Sequence, residues 1–338
     1  KFSYLLGLRT EITDVKVRLT NTNENFDYKY TELFPTINIG FERTEDQSFT
    51  VGYSRRLRRP RFWYLNPFES RSSQNVIYKG NPGLTPTFTN SFDLGYLQKI
   101  GKLTLNSSIY FQHSINSILR VSRDEIRLLD GVNQVITIRE PINLASEDRF
   151  GFELTANYNP SKKVRLSGSF NVFQQESKGL YAYNKFIIDE VTGAISATPE
   201  TQDLGNTNNS WFTRFNATFS LPWKIQMQNR LSYRGPRNTA QSDSEGIFSA
   251  NIALSKDVFK EKGSLVLNVS DVFNSRKRKS TNYNPSIENP TSISYQESQW
   301  RVRQVSLNFT YRFNQKKKQQ RDRRGGEDFE GGEDFGTP

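Results

Sequence analysis

The sequence predicts an all-β fold, a transmembrane antiparallel β-barrel with about twelve strands in view. Three observations predict it. Apolar and polar residues alternate with a period of two in segment after segment, which gives a strand one apolar and one polar face. Each segment is near the ~9–11 residues that cross a bilayer at a barrel's tilt. The connections alternate between tight and extended, as they do when turns on one side of a membrane are short and loops on the other are long.

The elements follow in order. The chain enters a strand-like run abruptly at Phe2-Ser3-Tyr4-Leu5-Leu6. Lys1 brings no Met, basic n-region or apolar h-region, so the biological start is expected upstream. Alternation runs through Phe49, Val51 and Tyr53, through Phe92, Leu94 and Tyr96, and through Leu103, Leu105, Ile109 and Phe111. It continues in Phe150, Phe152, Leu154, Ala156 and Tyr158, in Trp211, Phe215, Ala217 and Phe219, and in Ile225, Met227, Leu231 and Tyr233. It is clearest at the end, where Val305, Leu307, Phe309, Tyr311 and Phe313 are separated by Ser306, Asn308, Thr310 and Arg312. Short polar turns are predicted at 44–47, 99–102, 159–163, 221–224 and 256–263, and long connections at 58–86, 113–148, 175–210, 235–246 and 275–298. A soluble β-sandwich shares the alternation, but not long loops gathered at one end or aromatics near strand ends.

Counting back from the last strand places residues 1–313 in a barrel with extracellular loops and residues 314–338 in a flexible periplasmic tail. That tail is basic over 316–324 and then repeats Gly-Gly-Glu-Asp-Phe twice, a composition that buries no core.

Composition narrows the function. Hydrophobic residues are 34% of the chain and the mean hydropathy is −0.71, yet aromatics reach 13%, with 25 Phe and 15 Tyr. No run approaches the 18 apolar residues of a membrane-spanning helix. Cys is absent and His occurs once, which excludes disulfides, thiolate metal sites and imidazole clusters, so neither cofactor nor metal is expected. The net charge of +11 gathers in Arg55, Arg56, Arg58, Arg59 and Arg61, in 276–279 and in 316–324. Three separated loop or tail segments do not make a nucleic-acid surface, and no nucleic-acid partner is expected.

Nor is an enzyme expected. The single histidine, His113, adjoins Ser114, but neighbours on a strand point to opposite faces and do not exchange a proton directly. Asp124-Glu125, Glu147-Asp148 and Asp189-Glu190 read as solvated charge, and no twelve-residue calcium loop is present. The candidate binding residues are Arg58, Arg59, Arg61, Phe62, Trp63 and Tyr64, because arginine and aromatics are enriched where binding energy concentrates. The same chemistry suits a self-packed loop whose arginines meet lipopolysaccharide phosphates.

Three stretches resemble the TonB-dependent receptor-like outer-membrane β-barrels of Bacteroidetes. Leu65-Asn66-Pro67-Phe68 followed by Gly80-Asn81-Pro82-Gly83-Leu84-Thr85-Pro86 is similar to that family's loop signature, with Thr87 standing where relatives often carry an acid. Val269-Ser270-Asp271-Val272-Phe273-Asn274 resembles the element before the last extracellular loop, and Tyr311-Arg312-Phe313 resembles the terminal aromatic signal read by the barrel-assembly machinery. As residues alone, Asn-Pro and Gly-Asn-Pro are turn formers that fix a loop's entry into a strand. The resemblance implies a barrel of about twenty-two strands around a plug, of which this chain is the C-terminal half; a complete twelve-stranded barrel is the alternative. It also implies a ligand receptor or transporter, with outer-membrane lipid, lipopolysaccharide, TonB and a surface lipoprotein or other outer-membrane protein as expected partners. A non-transporting barrel that scaffolds other proteins is the alternative.

Overall fold

A strand whose two faces differ in polarity must lie where the surroundings differ in the same way, and twelve such strands here form one antiparallel sheet. The computed structural model describes residues 1–19, 23–129, 131–189, 191–288 and 290–313. The sheet runs in chain order through β1 (Phe2–Leu19), β2 (Glu24–Thr44), β3 (Gln47–Arg58), β4 (Thr87–Ile100), β5 (Leu103–Ile115) and β6 (Ser146–Ser161). It continues through β7 (Val164–Lys178), β8 (Asn206–Leu221), β9 (Ile225–Arg234), β10 (Ile247–Val258), β11 (Gly263–Ser270) and β12 (Gln304–Tyr311). The expected tail at 314–338 and Glu190 lie outside the described residues.

The register extends the alternation across strands. Tyr4, Ile39, Val51, Leu94, Ile109, Phe152, Val172 and Trp211 are successive cross-strand partners from β1 to β8, and all eight are exposed. One residue along, Ser3, Gly40, Thr50, Gly95, Ser108, Glu153 and Asn171 form the matching row on the other face. A slip by one residue would exchange the two faces, so partition into hydrocarbon fixes the register.

Two expectations change. Among the described residues no pairing joins β1 to β12. A complete twelve-stranded barrel is therefore not what these strands form, because an open edge in lipid leaves backbone N–H and C=O groups unpaired. Arg55, Arg56 and Arg58 belong to β3 rather than to the loop that follows it.

The tight turns fall at 45–46, 101–102, 162–163, 222–224 and 259–262, as the polar residues there predict. On the opposite side the connections fold into further sheet. Ser70–Ser73, Val76–Tyr78, Val132–Asn143 and Ile118–Leu129 form a first loop sheet, in which Val76–Tyr78 runs parallel to its partner. Leu180–Ile188 and Ile195–Asp203 form a hairpin. Arg237–Thr239, Ser242–Ser244, Arg278–Asn284 and Ser292–Ser298 form a second loop sheet. The β1–β2 connection is short, but the strands themselves, at 18 and 21 residues, outrun a bilayer. Glu32 on β2 meets Arg55 of β3 at 2.8 Å, and Glu11 on β1 meets Arg59, the first residue of the connection after β3, at 2.6 Å.

The clusters of packed, buried hydrophobic residues lie in these connections rather than in the wall. Ile77, Ile136 and Ile138 are 0% exposed and pack with Leu129, while Val121, Leu144, Tyr181 and Leu204 form a second buried cluster joined by Leu119 and Ile142.

Candidate functional site

The loop cap is held at a few points by buried polar groups. Gly80 N–H donates to the Asn66 carbonyl (2.8 Å) and Asn81 N–H to the Tyr64 carbonyl (2.6 Å), which folds the loop back on itself. A Cβ on Gly80 would come within 2.2 Å of that Asn66 oxygen, so this approach requires glycine. The Asn143 amide donates to the carbonyls of Thr85 (3.0 Å) and Asn116 (2.8 Å) while its oxygen accepts from Thr85 N–H (2.9 Å). Tyr28 donates its hydroxyl to the Pro82 carbonyl. The 80–88 stretch, with Gly80, Pro82, Leu84, Pro86, Thr87 and Phe88 buried, thus ties the first long connection to the second and to the β1–β2 hairpin.

Two more ties follow the same logic. The Gln241 amide is bonded to both backbone groups of Ser122, accepting its N–H (2.8 Å) and donating to its C=O (3.0 Å), as a paired strand would, and also donates to the Pro285 carbonyl (2.6 Å). Asp271 is buried, and its carboxylate accepts from the N–H groups of Ser275 (3.1 Å) and Arg276 (3.0 Å). Asn274 accepts from Gln299 and from the backbone of Arg303, which fastens the end of the last connection as it enters β12.

Charge is divided between the faces of both loop sheets. Cross-strand partners share a face, so the register of the first sheet sets Arg123, Glu125 and Arg127 beside Glu140 and Ile138, and sets Arg120 beside Pro141 and Ser122 beside Arg139. The first face is fully paired. Arg123 meets Glu140 (3.2 Å) and Glu125 (3.0 Å), and Arg127 meets Glu125 (2.7 Å) and Glu69 (2.8 Å). Tyr181 donates to Glu140 (2.5 Å), and burial pushes its phenol well above the ordinary value, which keeps it a donor. On the other face Arg139 donates to the Tyr78 hydroxyl (3.0 Å), and Arg120 lies over the Tyr64 ring (5.9 Å) with its buried Nη2 lacking a hydrogen-bond partner.

The pattern of this chain matches that of the outer membrane protein beta-barrel family over residues 1–311. The chain belongs to that family. Solved structures agree on the fold. The FrpB iron transporter from Neisseria meningitidis (F3-3 variant) superposes with a TM-score of 0.51 at 17% identity, over 92% of this chain and 42% of that one. The ferric yersiniabactin uptake receptor FyuA from Yersinia pestis gives 0.52 at 12% identity, over 91% and 42%, and the copper transporter OprC 0.50 at 14%, over 80% and 40%. This outer-membrane barrel chain thus spans about two fifths of the length of those it superposes on. A comparison with curated proteins finds no match.

The barrel chain distributes the sequence-predicted binding residues over several environments. Arg58 ends β3, and Arg59 reaches back to Glu11 (2.6 Å) and Thr13 (3.2 Å). Phe62–Leu65 forms one helical turn, with Arg61 over the Trp63 ring (5.2 Å). Phe62 and Trp63 are 82% and 60% exposed, whereas Tyr64 turns inward beneath Arg120. Arg120, Arg139 and Arg237 were not singled out by sequence, because isolated arginines in polar segments carry no local pattern, whereas Arg278 lies in the basic run 276–279. His113 is bound through Nδ1 to Asp148 (2.6 Å) across β5 and β6, while Ser114 contacts Thr89 on the opposite face (2.8 Å). Phe313 is exposed beside Tyr311, with the two ring centroids 6.1 Å apart.

Proposed function

We propose that this chain is part of a TonB-dependent receptor or transporter of the outer membrane, which binds a ligand with its long connections on the cell surface and passes it inward. One observation carries the reading: the long connections are a packed and interlocked cap with its own buried core, the pre-organised form that a binding surface needs. A barrel that only anchored itself in lipid would gain nothing from Gln241 bridging two loops or from Asn143 pinning three segments. Arg58, Arg59, Arg61, Phe62, Trp63 and Tyr64 are proposed to contribute to that surface, Phe313 to act as the assembly signal, and the chain's C-terminal end to be periplasmic.

The scaffold reading draws on a different feature, the exposed Phe62 and Trp63 in the helical turn that follows β3, which suit a surface lipoprotein or another outer-membrane protein. Two measurements decide between the readings. Single cysteines at Ser73, Asn184 and Asn282 should react with a membrane-impermeant thiol reagent on intact cells, and reaction only after permeabilisation would invert the orientation. Cells with the intact gene should deplete at least one solute from the medium that gene-deleted cells leave, and dissipating the proton-motive force should stop it. A folded, surface-labelled protein with no such depletion would favour the scaffold.

A further inference from the structure

The second loop sheet repeats the charge division of the first. Arg237 pairs across with Ser244, which pairs with Ser280, and Arg278 is two residues along the same strand from Ser280, so both arginines share one face. The rest of that face is Thr239, Asn282, Asn284 and the serines and Gln296 aligned with them, with no carboxylate among them. The opposite face carries paired charge, Lys277 with Glu297 (2.9 Å) and Lys279 with Glu245 (3.7 Å).

We propose that the arginine faces of the two loop sheets enclose a binding site for a soluble ligand bearing two or more phosphate or carboxylate groups, an inference that rests on the receptor reading above. The two faces meet. The strands Arg278–Asn284 and Ile118–Leu129 touch, and Asp124, on the face of Arg120, accepts a hydrogen bond from the hydroxyl of Thr291, the residue that leads into the second sheet's last strand (3.2 Å). That carboxylate is also taken by Thr137 (2.9 Å), so it is occupied by hydroxyls rather than by arginine. Burial pushes the Arg278 guanidinium below its ordinary pKa, and the nearby Arg120 and Arg237 push it further. Arg237 is exposed at its surface, and desolvation by its surroundings lowers its pKa as well, with Glu147 opposing and Arg149 and Arg58 adding to the effect. Glu147 is already shared with Arg149 (3.6 Å), so the arginines outnumber the acids that face them.

Like charges held together in this way lower the stability of the empty cap and are offset by an anion, and a planar guanidinium takes phosphate or carboxylate through two parallel hydrogen bonds. Strand spacing puts the Cα atoms of Arg237 and Arg278 about 12 Å apart. Their long side chains can then hold separate anionic groups of one molecule.

The intact protein in detergent is titrated with tripolyphosphate, with citrate and with neutral maltose, followed by calorimetry. Tripolyphosphate or citrate should bind, more weakly as salt rises, and maltose should not. The double variant R237A/R278A should lose about tenfold or more in affinity. Arg127→Ala, whose guanidinium is already held by Glu69 and Glu125, should stay within about twofold. R237K/R278K, which keeps both charges, should recover part of the lost affinity, and heat-modifiable migration on a gel confirms that each variant is folded. Equal binding by the wild type and the folded double variant, or no anion binding above maltose, overturns the proposal. Loss of co-purifying lipopolysaccharide from the double variant with unchanged affinity for soluble anions would assign the arginines to a lipid headgroup instead. Solute depletion by cells that persists in R237A/R278A retains the receptor reading and removes the anion class, whereas no depletion by wild-type cells overturns the receptor reading itself.

Discussion

In the wall, the row from Tyr4 to Trp211 turns eight apolar side chains outward and packs none of them into a core, while in the cap Ile77, Ile136 and Ile138 are wholly enclosed. Both regions are β-sheet, so secondary structure does not distinguish them. Solvent does. The wall takes its apolar environment from lipid and needs only alternation, whereas the cap stands in water and must bury its own side chains and pair its own polar groups. Wall residues are therefore exchangeable within a polarity class, and cap residues such as Gln241 and Asn143 are specific to their partners.

The comparison is broken most directly by emptying the cap core. Ile138→Ala should cost about 2–5 kcal/mol of local stability, read as faster hydrogen exchange over 118–143 with unchanged heat-modifiable migration of the barrel. Concurrent loss of that migration would mean that wall and cap fold as one unit. The wall is probed by Ile109→Arg, between Leu94 and Phe152 on the apolar face, which should cost about 2–4 kcal/mol, with Ser108→Arg costing far less. Folded yields that do not differ would remove the assignment of lipid and lumen faces. Leu307→Arg against Asn308→Arg repeats the test on β12, where Leu307 continues the apolar face through Leu267.

A smaller effect is expected from Gln241→Ala, which removes both side-chain partners of the Ser122 backbone and leaves the Pro285 carbonyl with Gln202 as its donor. The cost should be about 1–3 kcal/mol, seen as protease nicking within 118–143 or 278–298 but not in the wall. Nicking confined to 237–244 would show that the loops do not support one another.

The smallest effect should come from pH. Hydrogen bonds from Arg127 hold the Glu69 carboxyl below its ordinary value of 4.5, and Glu125 is also lowered, since the bonds from Arg127 and Arg123 outweigh its burial. A lowered carboxyl contributes stability that is present above 4.5 and lost as pH falls through the lower folded value. Cap protease resistance should thus decline only below about pH 4.5 and by about 1 kcal/mol or less per pair. A decline that begins near neutral pH would place the responsible group elsewhere.

Much of the wall is legible in the chain. Val305, Leu307, Phe309 and Tyr311 against Ser306, Asn308 and Thr310 define β12, and the polar turns at 99–102 and 159–163 fall where the strands reverse. The cap is less so. Gly80-Asn81-Pro82-Gly83 reads as a turn, but its partners Asn66, Pro141 and Tyr28 lie from 14 to 60 residues away. The Arg58–Tyr64 cluster and the basic run 276–279 draw attention because their residues adjoin in sequence, while Arg120 and Arg237 escape it, and the nearness of both to Arg278 is hidden because three separate connections supply them.

The sequence by itself determined the strands, their faces and the side on which the long connections gather, because period-two alternation and turn chemistry are local and the membrane reads them directly. Only the tertiary structure decided that those connections fold into two sheets and a hairpin, that among the described residues no pairing joins β1 to β12, and that the two loop sheets touch. These outcomes depend on strand pairing between distant segments, where burial and hydrogen-bond satisfaction choose among partners that no local pattern ranks.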